Sequence, residues 1–200
     1  MRKPNPKEYW NNTYEKGEYS SYWDYAYPSQ ELVTVAALDL IPSRGNVLDV
    51  GCGAGREGVF LAQCGYNVVG LDISEKALAI AKKRSVSARV SIRWVLGNAL
   101  DIPLGNRSVD FVNDRGCFHH IQEKSRPQYG REIARVLKPG GYILLRGSKK
   151  KTEVGFVPVN EESIDRSLTK ANFVRGPVLP LVSISDGGTL AFNMVISRRI

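Results

Sequence analysis

The run Val47-Leu48-Asp49-Val50-Gly51-Cys52-Gly53-Ala54-Gly55 decides the fold. A short apolar stretch ends in a cluster of glycines. A second apolar stretch follows and ends in another acid, Asp72. Continuous apolar runs of this length read as buried parallel strands, which bind ligands at their carboxyl ends. The glycines let the chain turn sharply and approach a ligand where a Cβ would intrude.

Asp72 stands where a second strand ends, a position suited to ribose hydroxyls, so the pair of strands points to a nucleoside cofactor. Gly53, Gly55 and Gly58 fit the spacing of a dinucleotide fingerprint. The first glycine after the strand is Gly51, however, and counting from it puts Arg56 at the third glycine position. The stretch is better described as D-x-G-x-G-x-G, with Asp49 still in the strand end. An acid there repels a pyrophosphate and suits an ammonium group. S-adenosylmethionine (SAM) carries an ammonium and a sulfonium.

Working outward, Gln30–Leu40 shows an amphipathic helical pattern after Pro28-Ser29. Strands are expected near Asn46–Val50, Asn67–Asp72, Val90–Leu96, Val109–Asn113 and Gly141–Leu145. Helices are expected over Arg56–Cys64, from Ser74 as cap to about Arg84, and over Pro127–Leu137. Strand–helix alternation at this rhythm gives a parallel α/β sheet. A last helix opens at Asn160-Glu161-Glu162 and runs to about Ala171. Leu179–Ser185 and Thr189–Ser197 then flank Asp186-Gly187-Gly188 as a hairpin.

These pieces resemble class I SAM-dependent methyltransferases. Val47–Gly55 with Asp72 looks like the cofactor-binding half. Gly97-Asn98-Ala99-Leu100-Asp101-Ile102-Pro103 is similar to the segment that borders the adenine. Ser108-Val109-Asp110-Phe111-Val112 resembles the fourth strand, and Arg135-Val136-Leu137-Lys138-Pro139-Gly140-Gly141 the turn before the fifth. The resemblance implies a Rossmann-like sandwich with a seven-stranded, mostly parallel sheet of order 3-2-1-4-5-7-6 and helices on both faces. It implies SAM as cofactor, with Asp49, Gly51, Cys52, Gly53, Gly55, Asp72, Ile73, Asn98, Ala99 and Asp114 around it. The family often has an acid where Asn98 stands, so the adenine amino group is expected on Asn98 or on backbone.

Residues 1–28 are polar and rich in aromatic side chains, among them Trp10, Tyr14, Tyr22 and Trp23. This leader is similar to that of small-molecule methyltransferases of the thiopurine and tellurite-resistance type. The resemblance implies a lid, with Trp23 over the cofactor. The rings also have a plainer use, sealing apolar helix ends.

Both histidines of the chain lie in Asn113-Asp114-Arg115-Gly116-Cys117-Phe118-His119-His120-Ile121. Histidine titrates near neutrality and suits a general base or an acceptor contact. His119 is favoured for acceptor contact and His120 for support, against the bland alternative that both only pack. Asp114 and Arg115 read either as a buried ion pair shaping the pocket or as charges facing an acceptor; the pair is favoured. The adjacent histidines have poor metal spacing, so no metal is expected.

The 200 residues fit one domain, 1–200, with a net charge of +8 spread along the chain. Nucleic-acid contact is therefore not favoured, and no base-amino methylation run follows the fourth strand. No apolar run reaches membrane-spanning length. The three cysteines, Cys52, Cys64 and Cys117, are odd in number and scattered, which points to a reducing cytoplasm. The expected function is methyl transfer from SAM to a small-molecule acceptor, with a thiol or other soft nucleophile as the narrower expectation. RNA or protein methylation, or a non-catalytic SAM-binding regulator, is the alternative. Monomer and homodimer are not distinguished.

Overall fold

The computed structural model describes residues 5–17, 19–152, 156–185 and 188–200. Its strands are β1 (Asn46–Val50), β2 (Asn67–Asp72), β3 (Arg93–Leu96), β4 (Val109–Arg115), β5 (Leu137–Ser148), β6 (Phe173–Arg175), β7 (Leu179–Ser185) and β8 (Gly188–Arg199). Its helices are α1 (Pro6–Glu15), α2 (Tyr19–Tyr22), α3 (Gln30–Ala37), α4 (Arg56–Gln63), α5 (Glu75–Ser87), α6 (Arg126–Val136) and α7 (Glu161–Ser167).

The strands form one sheet in the order β3-β2-β1-β4-β5-β8-β6, with β7 also on β8. The pairs from β3 to β5 are parallel; β8 runs antiparallel to β5, β6 and β7. This is the expected class I architecture with one addition. The expected sixth strand shares its edge of β8 with a second short one, β6. β7 pairs with Gly188–Met194 and β6 with Ser197–Arg199. Gly176 and Pro177 lie between them, and Pro177 has no N–H for a ladder. The turn tip at Asp186 and Gly187 lies outside the described residues, but Ser185 pairs with Gly188 across it.

Adjacent residues of β1 and β4 serve opposite faces, as the pleat requires. Val47, Phe111 and Leu144 pack with Leu32 and Val35 of α3 and Leu61 of α4. Leu48, Val112 and Leu145 pack with Tyr129 and Ile133 of α6 and Ile164 of α7. Burial on both faces explains the unbroken apolar runs. Among the described residues no helix is long and apolar enough to cross a membrane.

The leader is more ordered than its composition suggests. Asn5 caps α1 by accepting from the Lys7 N–H at 3.0 Å, and Pro6 stands in its first turn. Asn11 accepts from the Ser74 hydroxyl at 2.8 Å, tying α1 to the start of α5. Lys7–Glu75 and Lys76–Glu15 pairs flank that contact at the surface. Asp24 takes both terminal nitrogens of Arg84, at 2.9 and 2.6 Å. The leader is thus fastened across the carboxyl ends of β1 and β2.

Candidate active site

A cavity of about 1000 Å³ opens where β1, β2 and β4 end. Its floor is the glycine loop. The Gly53 N–H donates to Asp72 Oδ2 at 2.8 Å, and the Ser74 N–H donates to Asp72 Oδ1 at 2.8 Å. Asp72 lines the cavity, and burial raises its pKa while the N–H groups of Ser74, Gly53 and Ile73 oppose the rise. Gly53 and Gly55 have φ of 53° and 79°. A Cβ on Gly53 would collide with the Tyr14 hydroxyl, and one on Gly55 would lie 2.6 Å from the Trp94 ring and 2.8 Å from Ala81 Cβ.

Asp49 is 3% exposed. Its Oδ1 accepts from Asn113 Nδ2 at 2.7 Å, while Oδ2 has no partner. Burial, reinforced by the Glu57 carboxylate, pushes its pKa up to about 7, although the Asn113 bond opposes the shift. A buried carboxylate oxygen without a donor is costly unless a ligand supplies one. Gly51, Cys52, Ile73, Asn98 and Ala99 line the same end. Asn98 Oδ1 accepts from the Leu100 N–H at 2.9 Å, which leaves its amide N–H groups for a ligand. Trp23 lines the mouth and donates its Nε1–H to the Tyr14 hydroxyl at 3.2 Å.

The residues that end β4 separate. Asp114 is fully buried and does not line the cavity. It accepts from the Tyr129 hydroxyl at 2.6 Å and from the N–H groups of Cys117 and Phe118. Burial raises its pKa to about 6, and these donors oppose the rise. The favoured Asp114–Arg115 ion pair does not form, because neighbours on a strand point to opposite faces. Arg115 instead faces the cavity, 3.5 Å from Glu57 Oε1 and with its guanidinium over the Tyr25 ring at 4.2 Å.

Both histidines line the cavity, in different surroundings. His119 is 4% exposed, and its Nδ1 accepts from the Ser148 N–H at 2.9 Å. That bond puts the ring proton on Nε2. Burial holds its pKa well below the usual histidine value. His119 is therefore the one tied to the backbone. His120 meets Trp10 and Phe156 edge-on, with ring centres 4.6 and 4.8 Å away. Its ring makes no hydrogen bond among the described residues, and burial lowers its pKa to about 4. Arg126 fixes this loop by donating to the carbonyls of Phe118, Ile121, Val157 and Pro158.

Sequence reasoning missed Glu57, Arg146 and Phe156. Glu57 accepts from the Ser29 N–H at 2.9 Å and pairs with Arg146 at 3.3 Å, and its pKa is lowered. Arg146 is 1% exposed and also donates to Asn113 and Ser29. A lone arginine inside the apolar run Tyr142–Gly147 was the available signal for Arg146. Glu57 read only as an acid in the first turn of α4. Phe156 stacks on His119 at 4.2 Å, and no sequence pattern marks it. Among the described residues no three His, Cys, Asp or Glu side chains gather as a metal site.

Fold and cavity define a nucleoside-binding α/β protein of the class I methyltransferase kind. The family described as "Methyltransferase domain" matches residues 47–141. An uncharacterised methyltransferase of Schizosaccharomyces pombe is 34% identical over 104 residues, which are 50% of this chain and 70% of that protein. An uncharacterised methyltransferase of Synechocystis sp. is 40% identical over 99 residues, 50% of this chain. The chain spans only 45% of that second relative's length. A solved Burkholderia thailandensis 1,6-didemethyltoxoflavin-N1-methyltransferase, holding 1,6-didemethyltoxoflavin and S-adenosylhomocysteine, superposes with a TM-score of 0.77 at 19% identity. That match covers 100% of this chain and 92% of the other. The chain belongs to the SAM-dependent methyltransferases. The glycine floor and the unpartnered Asp49 oxygen fit SAM, which carries an ammonium donor.

Proposed function

We propose that this chain transfers the methyl group of SAM to a small-molecule acceptor by direct displacement. One observation carries the reading: a single cavity runs from the unpartnered Asp49 oxygen to an aromatic enclosure around His120. Its volume of about 1000 Å³ stands at the top of the range for small-molecule sites, roughly 300–1,000 Å³. The solved 1,6-didemethyltoxoflavin-N1-methyltransferase, with 1,6-didemethyltoxoflavin bound, supports the same class.

SAM, when bound, supplies an already activated methyl group on sulfonium sulfur. The chain's own work is positioning and exclusion of water. Asp49 receives the ammonium, Asp72 the ribose hydroxyls, and Asn98 with Ala99 and Ile73 the adenine. Gly51, Cys52, Gly53 and Gly55 provide the close-fitting backbone. Trp10, Trp23 and the rest of the leader close the mouth as a lid. Phe156 and His120 form the acceptor wall, with His120 neutral at pH 7. A weakly basic His120 favours an acceptor that needs little help to lose a proton, such as a thiol or selenol. The resemblance of the aromatic leader to that of the thiopurine and tellurite-resistance enzymes supports the same soft-acceptor reading.

The test is calorimetry with SAM and NAD, followed by a panel of thiols, selenols, amines, hydroxyls and carboxylates read by mass spectrometry. SAM binding with S-adenosylhomocysteine formed from a small acceptor is expected. Tight NAD binding alone, or methyl incorporation confined to protein or RNA, would overturn the reading.

A further inference from the structure

The acceptor end of the cavity contains a guanidinium with unused hydrogen-bonding capacity. Arg115 lines the cavity, yet none of its five N–H groups has a hydrogen-bond partner among the described residues. Its one ion pair, to Glu57, is long at 3.5 Å, and Glu57 is shared with Arg146 at 3.3 Å. The Tyr25 ring covers one face of the guanidinium and fixes its plane. The side chain, 18% exposed, lies on the cavity lining.

From this arrangement we infer that Arg115 is the anchor for a carboxylate on the acceptor, which is a flat aromatic or heteroaromatic acid. The inference rests on the small-molecule reading above. A planar fork held against a ring suits two parallel bonds to a carboxylate. Its charge is compensated only in part, since burial and Arg146 disfavour the cation while Glu57, Tyr25 and Glu31 oppose them. An incoming anion corrects that deficit. Four acids, Asp24, Asp49, Glu57 and Asp72, also line the cavity, and they select a monoanion over a phosphate. The other cation lining the cavity is Arg56, which is engaged by Asp24 at 3.5 Å and by the Ala26 carbonyl at 3.0 Å. A dianion would face one half-neutralised guanidinium. The aromatic preference follows from the walls, where Tyr22, Phe156 and Phe192 join Trp10 and Trp23. Such faces reward flat rings by stacking or edge contacts.

The probe pair is 2-naphthoate and 2-naphthamide, equal in shape and different in charge. Binding is measured by calorimetry on the full chain saturated with S-adenosylhomocysteine. The wild type should bind naphthoate about tenfold more tightly than naphthamide, as expected of a charge-assisted pair. Arg115→Gln should erase the difference while S-adenosylhomocysteine affinity stays unchanged. Arg115→Lys, which keeps the charge and loses the fork, should retain only part of it. Equal binding of the two probes by the wild type overturns the inference without any variant having to fold. A preference that survives Arg115→Gln overturns it as well. The two proposals fail separately. Methylation of neutral acceptors without a naphthoate preference removes the anchor and leaves methyl transfer. A naphthoate preference without turnover across the panel keeps the anchor and removes methyl transfer.

Discussion

The two ends of the cavity are built from different material. The floor end is mostly backbone: Gly51–Gly55 and the Asp72–Ser74 turn, joined by hydrogen bonds across adjacent strands. The far end is mostly side chains, from the leader, the loop after β4, the segment around Phe156 and the start of β8. Backbone geometry needs particular residues at particular positions, because a Cβ or a missing acid breaks it. A wall of rings needs only bulk and shape, and many residue sets supply those. The first end is therefore constrained and recognisable, and the second is free to differ with the acceptor.

The comparison predicts unequal damage. The largest effect is expected at the floor, from Gly55→Val. Its φ of 79° is a left-handed conformation that a β-branched residue resists, and its Cβ would press on Trp94 and Ala81. Left-handed strain of about 1–2 kcal/mol and overpacking of about 1–3 kcal/mol together predict a loss of roughly 2–5 kcal/mol. Urea denaturation should show a lowered midpoint, with SAM binding lost. A variant of wild-type stability and affinity would break the contrast between the two ends.

A smaller effect concerns pH. In the free protein Asp49, at about pKa 7, is protonated below that pH. Pairing with an ammonium requires the carboxylate, so binding below pH 7 releases a proton. SAM affinity should thus fall as pH falls, by up to about tenfold per unit below the midpoint. The charged groups nearest Asp49 are Glu57, Arg146 and Asp114, and Glu57 is held ionised by Arg146 and Arg115. Calorimetry in buffers of different ionisation enthalpy should detect the proton. Asp49→Asn should weaken binding at pH 8 and flatten the profile. An unchanged slope in that variant would assign the proton elsewhere.

The smallest effects divide the histidines. His119→Ala leaves the buried Ser148 N–H without its acceptor, at a cost of about 1–3 kcal/mol of stability. His120→Ala removes a ring bonded to no backbone group, so folding should change less and kcat more, at constant SAM affinity. An imidazole with its pKa lowered to about 4 is a weak base, so the kcat loss should stay below the ~10²-fold typical of general acid–base catalysis. A loss of turnover in His119→Ala alone, with stability intact, would reverse this division.

The legible part of the molecule follows the same line. The strands Asn46–Val50 and Asn67–Asp72 have their expected bounds, since both are buried on two faces along nearly their whole length. β4 runs two residues past expectation because Asp114 and Arg115 still pair with Leu145 and Arg146. α5 runs on to Ser87 because Ser85 is buried and accepts from Trp94 Nε1 at 3.2 Å. Polar residues marked an end in the sequence; tertiary partners removed the reason for one.

The sequence by itself determined the glycine floor, its two acids, the parallel sheet and the order of the pieces. These are encoded in contiguous stretches, where local backbone demands leave few choices. The tertiary structure decided the rest. It sent Asp114 under the floor and Arg115 into the cavity, tied His119 to Ser148, and buried Arg146 between Glu57 and Asn113. Those outcomes depend on residues up to 89 positions apart, as Arg146 and Glu57 are. A side chain's partner across such distances is fixed by packing and charge balance, which no local pattern contains.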